Sequence, residues 1–168
     1  MLRKLTPFLF AMMAASLTVA AQDPKPAKVP DKEVAERIDV LGECVKDRKM
    51  ERDIEARDHI DFLLVKLQGG LCEKDQSAVT KAFETVLFKG KVRPPQKMHL
   101  YTATVVALGF CGEDGAKVLE KAYDSKRFPD KKPWLPLREQ ILKSVGKTKD
   151  ESKIKFLLDE ARRNPEDA

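Results

Sequence analysis

The stretch that decides the fold is "ALGFCGEDGAKVLEKA", which runs from Ala107 to Ala122. An apolar segment with helical periodicity stops at Gly109, a short acidic turn follows, and a second apolar stripe begins at once. A nucleophile or a metal-ligand set in the turn would indicate catalysis, whereas recurrence of the pattern would indicate architecture. The pattern recurs, so we interpret the turn as architectural.

Two further segments share this pattern, "VKLQGGLCEKDQSAVTKAF" before it and "KSVGKTKDESKIKFLLDEA" after it. Leu67, Leu108 and Val145 are equivalent, with separations of 41 and 37 residues. Glycine at each turn is expected to supply the left-handed conformation that ends a helix. A carboxylate can accept hydrogen bonds from the free amides of the helix that follows. Four aspartates are expected to cap helices in this way: Asp31, Asp75, Asp114 and Asp150.

A helical hairpin that repeats at about 40 residues is typical of stacked helix pairs. The segment "TATVVALGFCGEDGAKVLEKAYD" resembles a HEAT repeat in its Ala-Leu-Gly helix end, its Gly-Glu-Asp turn and its Ala-Lys-Val-Leu restart. The segment "LREQILKSVGKTKDESKIKFLLDEAR" resembles one with Ser-Val-Gly for Ala-Leu-Gly, and residues 57–88 match more loosely. The resemblance covers Arg57 to Arg163.

This resemblance implies an all-α fold, built as a short right-handed α-solenoid of about three stacked helical hairpins. Armadillo-like or irregular hairpin arrangements stay open as alternatives. A charged helix near Lys46–Asp58 is expected to form the N-terminal cap of the stack. In proteins of this kind the function lies on a surface, usually one that holds a protein partner.

The N-terminus has the three-part layout of a secretory signal peptide at residues 1–21. Arg3 and Lys4 precede an apolar run from Phe8 to Ala21, which ends in small residues suited to cleavage. A retained membrane anchor is the second interpretation, because the run is marginal for crossing a bilayer of roughly 30 Å. No cysteine follows the small residues, so a bacterial-type lipid anchor has no attachment point. We expect an exported protein, periplasmic or secreted, with no stable membrane insertion after cleavage.

After cleavage, we expect a flexible Pro/Lys-rich leader at residues 22–30, a helical repeat domain at 31–163 and a polar tail at 164–168. The chain has 168 residues with 32 Lys plus Arg and 27 Asp plus Glu. Loss of Arg3 and Lys4 leaves 30 basic residues against the same 27 acidic ones, a net charge of about +3. This nearly balanced surface does not fit a nucleic-acid-binding protein.

Two long connectors, Phe88–Lys97 and Ser125–Pro136, join successive hairpins and are expected to be neighbours on one edge. They hold many basic residues, with the aromatic residues Phe128 and Trp134 among them, and a single acid, Asp130. Such an edge suits an acidic protein surface or an anionic envelope polymer. The alternative is that the lysines only solubilise the edge while the aromatic residues pack under their own loop. The candidate binding residues are Lys89, Lys91, Arg93, Lys97, Lys126, Arg127, Phe128, Lys131, Lys132 and Trp134.

Three cysteines, Cys44, Cys72 and Cys111, fall near the expected hairpin turns. An exported protein can form a disulfide, so one bridge between neighbouring turns is a candidate, either Cys44–Cys72 or Cys72–Cys111. The alternative is three small buried thiols, because stacked helices lie about 10 Å apart and a disulfide needs Cα atoms within about 7 Å. No cysteine or histidine pair has metal-ligand spacing.

Nothing in the sequence indicates an enzyme. There is no serine in a nucleophile-elbow setting and no glycine-rich phosphate loop, and His59 does not face Asp58 or Asp61 along a helix. We therefore expect a non-catalytic binding or scaffold module with no cofactor and an unidentified protein or acidic envelope component as partner. Two alternatives stay open: an enzyme accessory or small-ligand-binding protein that uses the concave face, and a structural protein of the cell wall that binds anionic polymer.

Overall fold

The computed structural model describes residues 29–163. The signal peptide predicted at residues 1–21, the leader up to residue 28 and the tail at 164–168 lie outside this range. Within it the chain is all-helical and contains no β-strand, which confirms the predicted all-α class. The α-helices are α1 (Lys32–Lys46), α2 (Asp53–Gln68), α3 (Glu73–Phe88), α4 (His99–Leu108), α5 (Gly112–Tyr123), α6 (Leu135–Lys147) and α7 (Ile154–Arg163). Three short 3-10 helices lie at Pro95–Lys97, Lys132–Trp134 and Glu151–Lys153.

Most helices pack both on their neighbours in the chain and on the helices two places away. Helix α2 contacts α4 and α4 contacts α6, while α1 contacts α3 and α3 contacts α5. Sequence neighbours also pack, most closely α1 on α2 and α5 on α6. Helices α1 to α6 bury apolar side chains in a shared core, and α7 packs on it through the half-buried Phe156 and Leu157. Side chains fully buried there include Leu41, Ile60, Phe83, Leu108, Leu119 and Ile141.

Two of the four predicted aspartate caps are confirmed. The Asp31 carboxylate accepts a hydrogen bond of 2.9 Å from the backbone N–H of Glu33 at the start of α1. The Asp150 carboxylate accepts one of 3.0 Å from Ser152 N–H, at the 3-10 turn that leads into α7. Each carboxylate satisfies an amide that the helix itself leaves free.

The other two predicted caps are wrong, because their helices begin earlier than the pattern indicates. Helix α3 follows Cys72, so Asp75 lies inside its first turn and accepts a hydrogen bond of 2.8 Å from the Asp31 N–H of α1. Helix α5 follows Cys111, and Asp114 in its first turn lies 3.5 Å from Lys117 Nζ. Asp75 therefore ties two helices together, and Asp114 forms a surface ion pair.

Glycine acts at the turns for two different reasons. Gly70, after α2, has φ +86° and adopts the expected left-handed conformation. Gly109, after α4, has φ −60°, so the same expectation is wrong there. A Cβ on Gly109 would lie 3.1 Å from Ser144 O and 3.3 Å from Lys147 Cβ. The residue is small because α6 passes close by.

The charged segment near Lys46–Asp58 is not a helix of its own. Helix α1 ends at Lys46, residues 47–52 form a loop, and α2 begins at Asp53. The loop is closed by Asp47, whose carboxylate accepts from the backbone N–H groups of Lys49 at 2.9 Å and Glu51 at 2.8 Å. This self-contained loop interrupts the predicted cap helix.

Candidate functional site: a lysine-rich connector edge

Six predicted binding residues are exposed lysines on the two connectors: Lys89, Lys91, Lys97, Lys126, Lys131 and Lys132. We call these six lysines the basic edge. Within residues 29–163, none of them forms an ion pair with a carboxylate. Several lysines on the helix faces differ, since Lys117 pairs with Glu113 at 2.8 Å and Lys121 with Glu84 at 2.6 Å. The charge of the basic edge is therefore not neutralised locally.

The two connectors contact each other, as predicted. The half-buried Arg127 donates a hydrogen bond of 3.0 Å from Nη2 to the backbone carbonyl of Gly90. The single connector acid, Asp130, points toward Arg138, with 3.8 Å between its Oδ1 and the Arg138 Nε. Arg127 thus links the connectors, and the acid faces an arginine of α6.

Arg93 is not a surface residue, which corrects its assignment as a binding group. Its side chain is 1% exposed and pairs with Asp53 at the start of α2, with Nη2 to Oδ1 at 2.7 Å. The Arg93 N–H also donates to the Tyr101 hydroxyl at 3.1 Å. Burial works to lower the pKa of Arg93, but the Asp53 carboxylate outweighs it and the pKa is raised. Both Nε and Nη2 of the guanidinium bond Asp53, which ties this connector to the start of α2.

Phe128 and Trp134 are also buried, so they are not exposed anchors for a partner. The Phe128 ring lies 5.1 Å from Tyr101 and 5.5 Å from Trp134, between ring centroids. Tilted and edge-on contacts at these distances are the favourable ones for aromatic rings. The alternative that these two residues pack under their own loop is therefore confirmed.

The loop at residues 47–52 is a third basic connector that the sequence analysis missed. An open cleft of about 640 Å³ is lined by Lys46, Arg48, Gly90 and Lys91. Gly90 has φ +80° and sits so close to α1 that a Cβ would lie 2.7 Å from Val45 O. The many charged residues of this segment predict a helix rather than a loop. Met50 has φ +60°, and methionine is not a residue type that indicates a turn.

All three cysteines are buried free thiols, so the candidate disulfides are not formed. They do not lie at equivalent turns, because Cys44 is inside α1 while Cys72 and Cys111 immediately precede α3 and α5. The Cys111 thiol donates to Ala107 O at 3.7 Å, and burial raises its pKa to about 11. Cys111 is thus an unreactive thiol at neutral pH.

Folding also brings together Cys44 of α1 with Glu55 and His59 of α2. Their ligand atoms all lie within 4.8 Å of one another. The sequence showed no metal spacing because Glu55 and His59 are one helical turn apart while the thiol comes from another helix. From the sequence, only the spacing of four residues between Glu55 and His59 is visible. Such a pair is common on charged helices, so it does not by itself indicate a metal site.

Comparisons of the chain with protein-family models, with curated proteins and with solved structures found no match. Among residues 29–163, no helix is both long enough and apolar enough to cross a membrane.

Proposed function

We propose that this protein is an exported, non-catalytic helical-repeat module that binds an acidic surface of a partner protein along the basic edge. In this proposal the hairpins α2–α3, α4–α5 and α6–α7 stack as a short right-handed solenoid. The contact rows α2–α4–α6 and α1–α3–α5 support that arrangement. The proposed export rests on the signal-peptide pattern of residues 1–21.

The observation that carries the proposal is a set of six exposed lysines on two connectors that contact each other. None of the six has a carboxylate partner in the part of the chain that the structure describes. Lysines already in ion pairs would have to give up a partner to bind a ligand, whereas these do not. Their combined field would speed association with an acidic surface and would weaken with salt.

Apolar side chains beside the lysines favour a protein as the partner. Val92, between Lys91 and the buried Arg93, is 44% exposed, and Leu135, next to Trp134, is 38% exposed. A protein interface needs an apolar centre with a charged rim, and these two residues supply small apolar contacts on an otherwise basic surface.

An anionic envelope polymer is the second candidate, and the burial of Phe128 and Trp134 favours it. Without a large exposed aromatic side chain, the edge lacks the residue type that dominates most protein interfaces. A lysine array without such anchors suits a repeating anionic chain, whose binding depends on charge alone.

A charge-reversal pair of variants tests both candidates. The edge variant changes Lys91, Lys97, Lys131 and Lys132 to Glu. The control changes four exposed helix lysines that also lack carboxylate partners within residues 29–163: Lys32, Lys74, Lys81 and Lys155. Both variants change the net charge equally, so only the position of the charge differs.

In-cell crosslinking of the tagged chains should capture a defined protein with the wild type and the control but not with the edge variant. Purified polyglutamate and poly(glycerol phosphate) then serve as probes of the two chemistries, each titrated at low and high salt. Tight binding of the phosphate polymer without a protein partner would favour the envelope polymer. Equal loss in both variants, or retained capture by the edge variant, would refute the basic edge and direct attention to the concave face.

A further inference from the structure

A polar cluster separate from the basic edge lies between the end of α1 and the start of α2. It consists of Cys44, Glu55 and His59, whose ligand atoms lie within 4.8 Å of one another. The thiol is fully buried and Glu55 is reachable from solvent. Thiolate, carboxylate and imidazole are the three side-chain groups that bind zinc-class cations in proteins.

His59 supplies an independent sign that the cluster is incomplete. The residue is only 7% exposed, and its Nε2 finds no hydrogen-bond partner among residues 29–163. The nearest Glu55 oxygen, Oε1, is 3.8 Å from Nε2, beyond hydrogen-bond range. Leaving a buried polar nitrogen without a hydrogen-bond partner is unfavourable, and a bound cation would remove that cost.

We propose that Cys44 Sγ, a Glu55 carboxylate oxygen and His59 Nε2 bind one Zn²⁺ ion, with the fourth coordination position open toward solvent. Bonds of about 2.0–2.3 Å in a tetrahedral arrangement place ligand atoms about 3.3–3.8 Å apart. The His59–Glu55 separation is already 3.8 Å, and the remaining ligand atoms need to move by an ångström or less. Side-chain rotation can supply such a shift without moving either helix.

The surroundings of Glu55 suit a metal-bound carboxylate. Arg52 donates to both Glu55 oxygens, from Nε at 2.8 Å and from Nη2 at 2.7 Å. This fixes the carboxylate beside Cys44 and His59 while leaving further oxygen lone pairs free for a metal. The ion with one thiolate and one carboxylate would be neutral, and Arg52 would add one positive charge at the solvent side of the site.

When the metal binds, Cys44 loses a proton, the proton of His59 must lie on Nδ1, and Arg37 must move. The Cys44 thiol releases its proton to solvent as the Zn–S bond forms, and the metal offsets the burial and the Glu55 charge that raise the pKa of this thiol. Binding through Nε2 puts the imidazole proton on Nδ1, which now lies 3.4 Å from Arg37 Nη1. Arg37 is half-exposed and already faces Glu33 at 3.6 Å, so it can turn away.

Cobalt and zinc titrations of the purified, metal-free full chain test the site. Co²⁺ should bind in a 1:1 ratio and give a thiolate-to-cobalt charge-transfer band, and Zn²⁺ should abolish that band. Cys44→Ser should eliminate the band, and His59→Gln should weaken Zn²⁺ binding at least about 100-fold. Glu55→Gln should weaken it about 10-fold. Cys111→Ser is the matched control, because it removes a buried thiol outside the cluster and should bind as wild type does.

A second measurement on the wild-type chain covers the case in which a variant fails to fold. Zn²⁺ should protect Cys44 from alkylation in mild urea, with the protected peptide identified by mass spectrometry, while Cys72 and Cys111 are alkylated as before. A cobalt band that persists in Cys44→Ser would overturn the site. So would Zn²⁺ affinity unchanged in His59→Gln, or equal alkylation of Cys44 with and without Zn²⁺. None of these outcomes depends on the basic edge, so the metal site and the proposed function can fail separately.

Discussion

The two long connectors present similar lysines to solvent but are fixed by opposite chemistry. Phe88–Lys97 is held by the buried Arg93–Asp53 ion pair, whereas Ser125–Pro136 is held by Phe128 and Trp134 in the core. Aromatic burial stabilises the fold outright. A buried ion pair contributes little net stability, because removing two charges from water offsets their attraction, yet it is costly to break. The ion pair therefore sets the position of the first connector while adding little to the stability of the fold.

The largest expected effect comes from breaking the ion pair on one side only. Asp53→Ala leaves the Arg93 guanidinium buried without its partner carboxylate and should lower the free energy of unfolding by about 3–5 kcal/mol. Urea denaturation followed by circular dichroism measures this change.

Replacing both partners of the ion pair tests the explanation. The double variant Arg93→Met with Asp53→Leu removes both charges and keeps apolar volume, so it should recover most of the loss. A double variant as unstable as Asp53→Ala would show that the pair stabilises the connector itself.

The second connector should respond as a hydrophobic core does. Phe128→Ala removes a fully buried ring from between Tyr101 and Trp134 and should cost about 3 kcal/mol in the same denaturation experiment. Phe110→Ala is the matched control, because the Phe110 ring is 40% exposed and should cost well under half as much. Equal costs would mean that the aromatic cluster does not fix this connector.

Two glycine-to-alanine variants test whether close packing of the first connector's backbone also matters for stability. Gly90→Ala forces a Cβ against Val45 O at a residue with φ +80°, and should destabilise the fold by about 1–3 kcal/mol. Gly146→Ala lies within α6 with nothing within 4 Å of the new Cβ, and should stabilise by about 0.5–1 kcal/mol. Thermal melts of both variants should therefore shift in opposite directions.

Periodicity and turn residues predicted the helices well because both depend on local sequence. The apolar stripes gave the all-α class, and Asp31 and Asp150 cap as expected because each lies directly before the first free amides. Asp75 and Asp114 do not cap, because each lies three residues after the residue that precedes its helix, Cys72 and Cys111 respectively. Local signals alone do not fix such boundaries.

The position of the candidate site and its six lysines were predictable, but the burial of Arg93, Phe128 and Trp134 was not. Chain order placed the two connectors together, and the Arg127–Gly90 hydrogen bond agrees. Composition cannot show that Arg93 points inward, because its partner Asp53 is 40 residues away and looks like any other surface acid. The cluster of Cys44, Glu55 and His59 was hidden for the same reason, since its members come from two helices.

The third connector, the loop at residues 47–52, is held by a carboxylate, so its contribution to stability should depend on pH. The pKa of Asp47 is lowered by hydrogen bonds from backbone N–H groups of the loop, and the N–H of Lys49 contributes most. A lowered folded-state pKa means that this stabilisation is complete above the unfolded value of about 3.9 and is lost as the pH falls through the folded value. Asp47→Ala should therefore be less stable than wild type near pH 7, and the difference should shrink as the pH falls below about 3.9 and disappear once the folded carboxyl is protonated. If the stability difference between the two proteins persists in acid, the ionised carboxylate is not what holds the loop.

The smallest expected effect is on the basic edge itself. Lys91→Glu and Lys131→Glu should each change the free energy of unfolding by no more than about 0.5 kcal/mol, because both side chains are exposed and neither has a carboxylate partner within residues 29–163. Denaturation at low and high salt measures this. Each reversal should even stabilise slightly at low salt, since it relieves repulsion among neighbouring lysines, and the gain should disappear at high salt. A loss above about 1 kcal/mol would mean that the lysine has a structural role, and binding defects of the edge variant would then reflect the fold.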